Sequence, residues 1–337
     1  MKSLKNYIKD YIVESIWDVE DNVENDNEEF VIDEIKQFIK DNYRNVNLKS
    51  LTFVFDKEKG KHVVSYKDDL TIVNGAKSLV NDLFEWDTVD GWFDCSKSSI
   101  TSLKDTPKTV KGSFGCSKCP NLTSLQGVPE VGGAFICSEC PELTSLQGVP
   151  KIVNGIFNCA ECPKLTSLKG APKEVSGSFY CTGCPNLTSL EGAPEKVGKN
   201  FYCFECQTLK FLKGAPKTVS GDFHCYSCPE LKSLKGVPGH VKGNFNCSDC
   251  PKLESLEGAP EIVNGHFNCS GCPKLESLEG APKSVGWGFY CVNCTQLKTL
   301  KGAPKKVGDA FKCTGCPNLH SLDGIGEVGD RIISDIN

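Results

Sequence analysis

The sequence predicts a mainly β fold, a repeat solenoid of about eleven coils of 21–22 residues, preceded by a small α+β N-terminal domain. Three observations predict it. The first is a unit read from Val153 to Lys173, VNGIFNCAECPKLTSLKGAPK, whose near-copies follow one another from Val89 to Val328. Its first cysteines are Cys116, Cys137, Cys159, Cys181, Cys203, Cys225, Cys247, Cys269, Cys291 and Cys313, a step of 21 once and 22 thereafter. A fixed step of this size means stacked coils that bury their apolar side chains only against one another. The second is alternation: Val153, Phe157 and Cys159 fall on one face of an extended chain, and Asn154, Ile156 and Asn158 on the other. The third is the Gly170-Ala171-Pro172 run, which turns the chain once per copy.

Taken in order, residues 1–19 place Leu4, Ile8, Tyr11, Ile12 and Ile16 at helical spacing, an amphipathic helix suited to docking on its own domain or on a partner. Residues 20–29 are too acidic to pack, and a helix is expected after them with Phe30, Ile35, Phe38 and Ile39 on one stripe. VNLKSLTFVF (46–55) and HVVSY (62–66) read as two strands joined by a hairpin at Gly60. Phe84 and Trp86 are expected to cover the open end of the first coil, because terminal repeats need a cap. The domain boundaries follow: 1–88 as an acidic N-terminal and capping domain, 89–328 as the solenoid, 329–337 as a C-terminal cap or tail. The eleven phenylalanines from Phe93 to Phe311 should stack into one continuous core column.

Charge is uneven: residues 1–90 hold 12 Lys/Arg against 20 Asp/Glu, and residues 91–337 hold 26 against 23. Arginine occurs only at Arg44 and Arg331, which argues against nucleic acid as a partner, since arginine is the usual residue for phosphate and base contacts. No apolar run is long enough to cross a membrane, and the first 30 residues lack the core of a signal peptide. The expected compartment is the cytoplasm. No GxGxxG, Walker or HExxH pattern occurs, and the histidines His62, His224, His240, His266 and His320 recur at no common repeat position beside a carboxylate. No enzymatic activity and no cofactor are expected.

The pattern C-P-x-L-T-S-L-x-G-A-P-x-x-V-x-G-x-F, over about residues 89–328, resembles the BspA-type branch of leucine-rich repeats. Leu165 and Leu168 have the spacing of the L-x-x-L strand segment of such repeats. The LTSLxGAP form is also similar to repeat proteins of tailed phages and gut bacteria; for a phage-encoded protein the compartment would be the host cytoplasm. The resemblance implies a leucine-rich-repeat-like solenoid that binds proteins or surface ligands and does no chemistry. This chain departs from the family in the second cysteine, which makes CxxC, and in Gly-Ala-Pro where a second apolar pair is common.

Ten CxxC pairs run from Cys116/Cys119 to Cys313/Cys316, and the sequence leaves three roles open. Cysteine is among the most often buried residue types, so an inward thiol ladder is the leading expectation. CxxC is also the half-site of zinc, and spacers such as Cys181-Thr-Gly-Cys184 carry the glycine that a metal knuckle tolerates, so a thiolate ladder loaded with zinc is the alternative function. Disulfides between coils are the third.

Residues that vary within a constant template are the place to seek a partner site. The outward column between Phe and Cys reads Gly115, Ile136, Asn158, Tyr180, Tyr202, His224, Asn246, Asn268, Tyr290, Lys312. With Phe204 and Tyr226 from the next column, Tyr180, Tyr202 and His224 should form one aromatic patch, either an interface anchor or stacking that merely shields the sheet. Trp287, standing where most copies have glycine, extends a second patch with Tyr290. Lys210/Lys213 and Lys232/Lys235, then Glu254/Glu257 and Glu276/Glu279, then Lys298/Lys301 give bands of alternating sign that a complementary partner could match. A non-catalytic protein-interaction scaffold, with a protein as partner, is the function expected.

Overall fold

The computed structural model describes residues 21–336, so the helix expected over residues 1–19 lies outside the described residues. The chain opens with α1 (Asp21–Asn42), followed by β1 (Tyr43–Arg44), a 3-10 turn at Leu48–Ser50, β2 (Leu51–Asp56), β3 (Lys61–Tyr66), β4 (Leu70–Ile72) and β5 (Phe84–Val89). From β6 (Phe93–Asp94) onward two kinds of short strand alternate, one starting at each Phe and one ending at each Val: β7 (Thr109–Val110), β8 (Phe114–Gly115), β9 (Glu130–Val131), β10 (Phe135–Ile136), β11 (Ile152–Val153) and so on to the last strand, Ile332–Ser334.

The Phe strands stack parallel and in register into one sheet that begins at β1 and β4 and runs to Ile332–Ser334. Eleven Phe rungs are followed by a twelfth at Ile332, so the C-terminal residues add a coil. Stacking is imposed by identity: with the same side chain one coil above, successive rings lie 5.0–5.8 Å apart and nearly parallel. Phe93 to Phe289 are fully buried, each worth about 1.5–3 kcal/mol of transfer free energy. At the N-terminal end the column meets Leu70, which pairs with Phe93, and Tyr43, 6.4 Å from the same ring.

The Val strands form the second side of the coil. Their sheet is interrupted: β2, β3, β5, β7 and β9 make one sheet, and a second starts at β11. The break coincides with a length change: one residue separates Pro129 from Val131 where two separate Pro150 from Val153. Across the break Gly155 N–H still reaches Gly133 O (3.1 Å).

The third side corrects the expectation of a strand at L-x-x-L. Both leucines of each coil from Leu122 to Leu300 point inward and are buried, yet the segment forms no ladder; its neighbours are joined by single bonds such as Lys298 N–H to Glu276 O (3.0 Å) and one bridge, Phe211 to Ser233. The flanking turns consume the residues that would otherwise lengthen it. One of them explains the CxxC spacer. Its third residue is left-handed in coil after coil, as at Lys118 (φ 56), Glu161 (φ 55), Glu205 (φ 58) and Ser227 (φ 51). The glycines of Cys181-Thr-Gly-Cys184 and Cys269-Ser-Gly-Cys272 meet that backbone need and require no metal to account for them.

In the N-terminal region the acidic residues 21–29 belong to α1 and are not a separate linker. Ile35 and Ile39 are buried and Phe38 packs edge-on to Phe84, but Phe30 is 61% exposed, off the stripe, with Val31 packed inward instead. β2 and β3 form the expected antiparallel hairpin. β3 then pairs parallel with β5, and Trp86 is buried with its Nε1–H donating to Tyr43 Oη (3.0 Å). The boundary placed after residue 88 falls inside β5, and one apolar core runs from Ile35 to Leu319.

Candidate protein-docking face

The outer face of the Phe sheet carries the varied column in register: Tyr180 beside Tyr202, Tyr202 beside His224, His224 beside Asn246. Because the Phe of each pair points to the core, the next residue must face outward. Tyr180 and Tyr202 have ring centroids 4.9 Å apart, and Tyr202 and His224 5.1 Å. Phe204 and Tyr226 come from the corner of the coil, just after the first Cys, and stack at 4.4 Å with planes 9° apart. They close the cluster through Tyr202–Phe204 (6.1 Å) and His224–Tyr226 (6.0 Å). All five are half-buried, with faces and edges open. Burial pushes the hydroxyls of Tyr202 and Tyr226 up from the ordinary tyrosine value and His224 down from the ordinary histidine value.

A polar column borders the cluster. Gly221 N–H donates back to Lys199 O (2.9 Å), whereas Phe223 N–H donates forward to Asn244 O (2.8 Å). At the reversal between them the Asp222 N–H has no backbone partner and takes Asn200 Oδ1 (2.9 Å). The same device repeats as Asn244 N–H to Asp222 Oδ1 (2.7 Å), His266 N–H to Asn244 Oδ1 (2.8 Å) and Gly288 N–H to His266 Nδ1 (3.0 Å). Each side chain thus satisfies the coil that follows it, which fixes the backbone under the aromatic rings.

Trp287 and Tyr290 form a separate group, three coils away along the column through Asn246 and Asn268. Sequence reasoning missed the residue that joins them. His266 lies 5.0 Å from Trp287 and 5.4 Å from Tyr290, and its Nδ1 is 3.3 Å from Tyr290 Oη. The signal for it was its place in the Asn/Asp column. Trp287 is 57% exposed, and its position is open to a side chain because Gly286 supplies the close approach at that corner, where a Cβ would strike Asn264 O. Phe211, half-exposed in a column of Ser and Thr, was also missed; the hydroxyls there cap a turn, as Ser233 does for Lys235 N–H (3.2 Å).

The cysteines lie inside. All twenty-one are free and buried. The second thiol of each coil donates to the carbonyl of the first cysteine one coil back, as Cys206 to Cys181 O (3.3 Å) and Cys228 to Cys203 O (3.4 Å). First cysteines donate to the outward column, as Cys203 to His224 O (3.5 Å). Burial raises most of these thiols, Cys184 to about 11 and Cys162 to about 12. Among the described residues no three Cys, His, Asp or Glu converge closely enough to hold a metal ion, so the paired half-sites of the zinc alternative are not assembled. The charge bands are joined by inter-coil pairs at their borders, Lys213–Glu191, Lys235–Glu257, Lys298–Glu276 and Lys301–Glu279. A partner is not needed to explain them. Among the described residues no helix is long and apolar enough to cross a membrane.

No protein-family model, curated protein or solved structure matches the chain. The likeness to BspA-type repeats therefore rests on the repeat motif alone, and the face described above carries the functional reading.

Proposed function

We propose that this protein is a non-catalytic binding scaffold that engages a protein partner across the outer face of the Phe sheet, at Tyr180, Tyr202, Phe204, His224 and Tyr226. The observation that carries this reading is the contiguity of five aromatic side chains on a backbone held rigid by ladders on both sides. Rigid aromatic side chains lose little entropy on binding and are the usual anchors of interfaces. A non-catalytic role suits thiols that are buried and hydrogen-bonded, and twenty-one free cysteines suit a reducing compartment such as the cytoplasm.

The test is capture from a lysate of the source cell by the full chain and by the Tyr202→Ser/Tyr226→Ser variant. The expected outcome is a partner retained by the native chain and lost by the variant, with both melting at the same temperature. Identical captured sets from two equally folded proteins would overturn the reading.

A further inference from the structure

We infer that the segment recognised by this face is cationic, presenting Lys or Arg side chains to the Tyr202–Phe204–Tyr226 rings; this rests on the docking reading above and specifies its partner. The argument begins with charge pairing. On the other two sides of the coil, several glutamates are neutralised by a lysine on a neighbouring coil: Glu174 by Lys196 (2.8 Å), Glu195 by Lys217 (2.8 Å), Glu191 by Lys213 (2.9 Å), Glu261 by Lys283 (2.7 Å). Two carboxylates border the aromatic cluster. Among the described residues neither Glu205 nor Asp222 forms an ion pair with a lysine or arginine, a state shared by Glu161 and Asp249 in the turn equivalent to that of Glu205, but only Glu205 and Asp222 adjoin the aromatic cluster.

These two carboxylates adjoin the cluster along the chain, Glu205 next to Phe204 and Asp222 two residues before His224. Glu205 follows Phe204 directly in the left-handed turn and acts on the Tyr226 hydroxyl, raising it further after burial has done so. Asp222 acts in the same way on Tyr202 and favours the charged form of His224. Asp222 Oδ1 accepts the Asn244 N–H, which fixes the carboxylate in place while leaving its other oxygen for a guest. An aromatic face attracts a cation through its quadrupole, and an adjacent unpaired carboxylate adds a charge-assisted hydrogen bond. Rings and carboxylates together exclude an acidic segment, which would meet like charge at both ends of the cluster.

The experiment is a selection of random displayed peptides on the full-length protein, followed by affinity measurement of the best binders. Three proteins are compared: the native chain, Tyr202→Ser/Tyr226→Ser, and Glu205→Gln/Asp222→Asn, the last keeping an acceptor for Asn244 N–H. Expected are peptides rich in Lys or Arg, lost on the tyrosine variant and weakened about tenfold on the carboxylate variant. Peptides that need the tyrosines but are neutral or acidic, and bind the carboxylate variant equally, would overturn the cationic assignment while leaving the docking face intact. Failure to select any peptide that depends on Tyr202 and Tyr226 would overturn both. A parallel array of neutral glycans supplies a further outcome: tyrosine-dependent sugar binding would reassign the face and also overturn the inference.

Discussion

Phe204 lies flat on Tyr226, 4.4 Å between centroids and 9° from parallel, although the two residues belong to successive coils. Core rings stack in the same manner one layer below, Phe201 on Phe223 at 5.1 Å, so inner and outer pairs share a geometry and differ in exposure.

That difference separates fold from function. Phe201→Ala should lower stability by about 3–5 kcal/mol, because it opens a hole in a fully buried column. Phe204→Ala should cost only about 0.5–1.5 kcal/mol while removing partner binding. Thermal melts of the two variants beside the capture assay check both outcomes.

The left-handed third residue of each CxxC turn is strained wherever it is not glycine. Ser227 (φ 51) is such a position, and Ser227→Gly should stabilise the protein by on the order of 1 kcal/mol. The reverse change, Gly183→Ser at φ 61, should destabilise it by a similar amount. A matched pair of melting curves, shifted in opposite directions, is the expected result.

His62 is 3% exposed, and its Nε2 lies 3.6 Å from Glu28 Oε1 without a hydrogen bond. Burial lowers it from its ordinary value of 6.5, outweighing the pull of Glu28, and burial lowers His224 as well. Neutral forms are thus favoured in the folded protein. Their contribution is fully present above about pH 6.5, declines as pH falls through the folded values, and levels off once both states are charged. Melting temperature should fall between pH 7 and pH 5 by acid alone, and His62→Gln should flatten part of that decline.

Buried thiols should react only as coils open. Cys313 and Cys316, at the last CxxC turn and raised to about 11, should be alkylated first, before the interior cysteines from Cys159 to Cys291. Mass spectrometry of a timed alkylation gives the order. A chelator should leave the melting temperature unchanged, since no donor set converges among the described residues.

Much of this architecture was legible because repetition multiplies a weak signal. One V-x-G-x-F-x-C run could be many things, but eleven phenylalanines at a fixed step admit one stacking, and they also placed Tyr180, Tyr202 and His224 side by side. What escaped notice was local backbone chemistry. The spacing of Leu165 and Leu168 located two inward residues correctly without showing that turns on either side leave no room for a ladder. His266 was passed over because its role is to accept the Gly288 N–H, a need visible only once the hydrogen-bond direction reverses between neighbouring coils. Phe30 was misplaced by a helix phase that Val31 satisfies better.

The single missing residue before Val131 has a mechanical corollary. North and south of that seam, each coil is fastened to the next along two rows of backbone bonds, but across it only the Phe row is complete. Tension applied to the two ends of the molecule would find its weakest link there, so the aromatic face, which lies wholly on the C-terminal side, would stay intact on its own segment while the N-terminal coils peeled away.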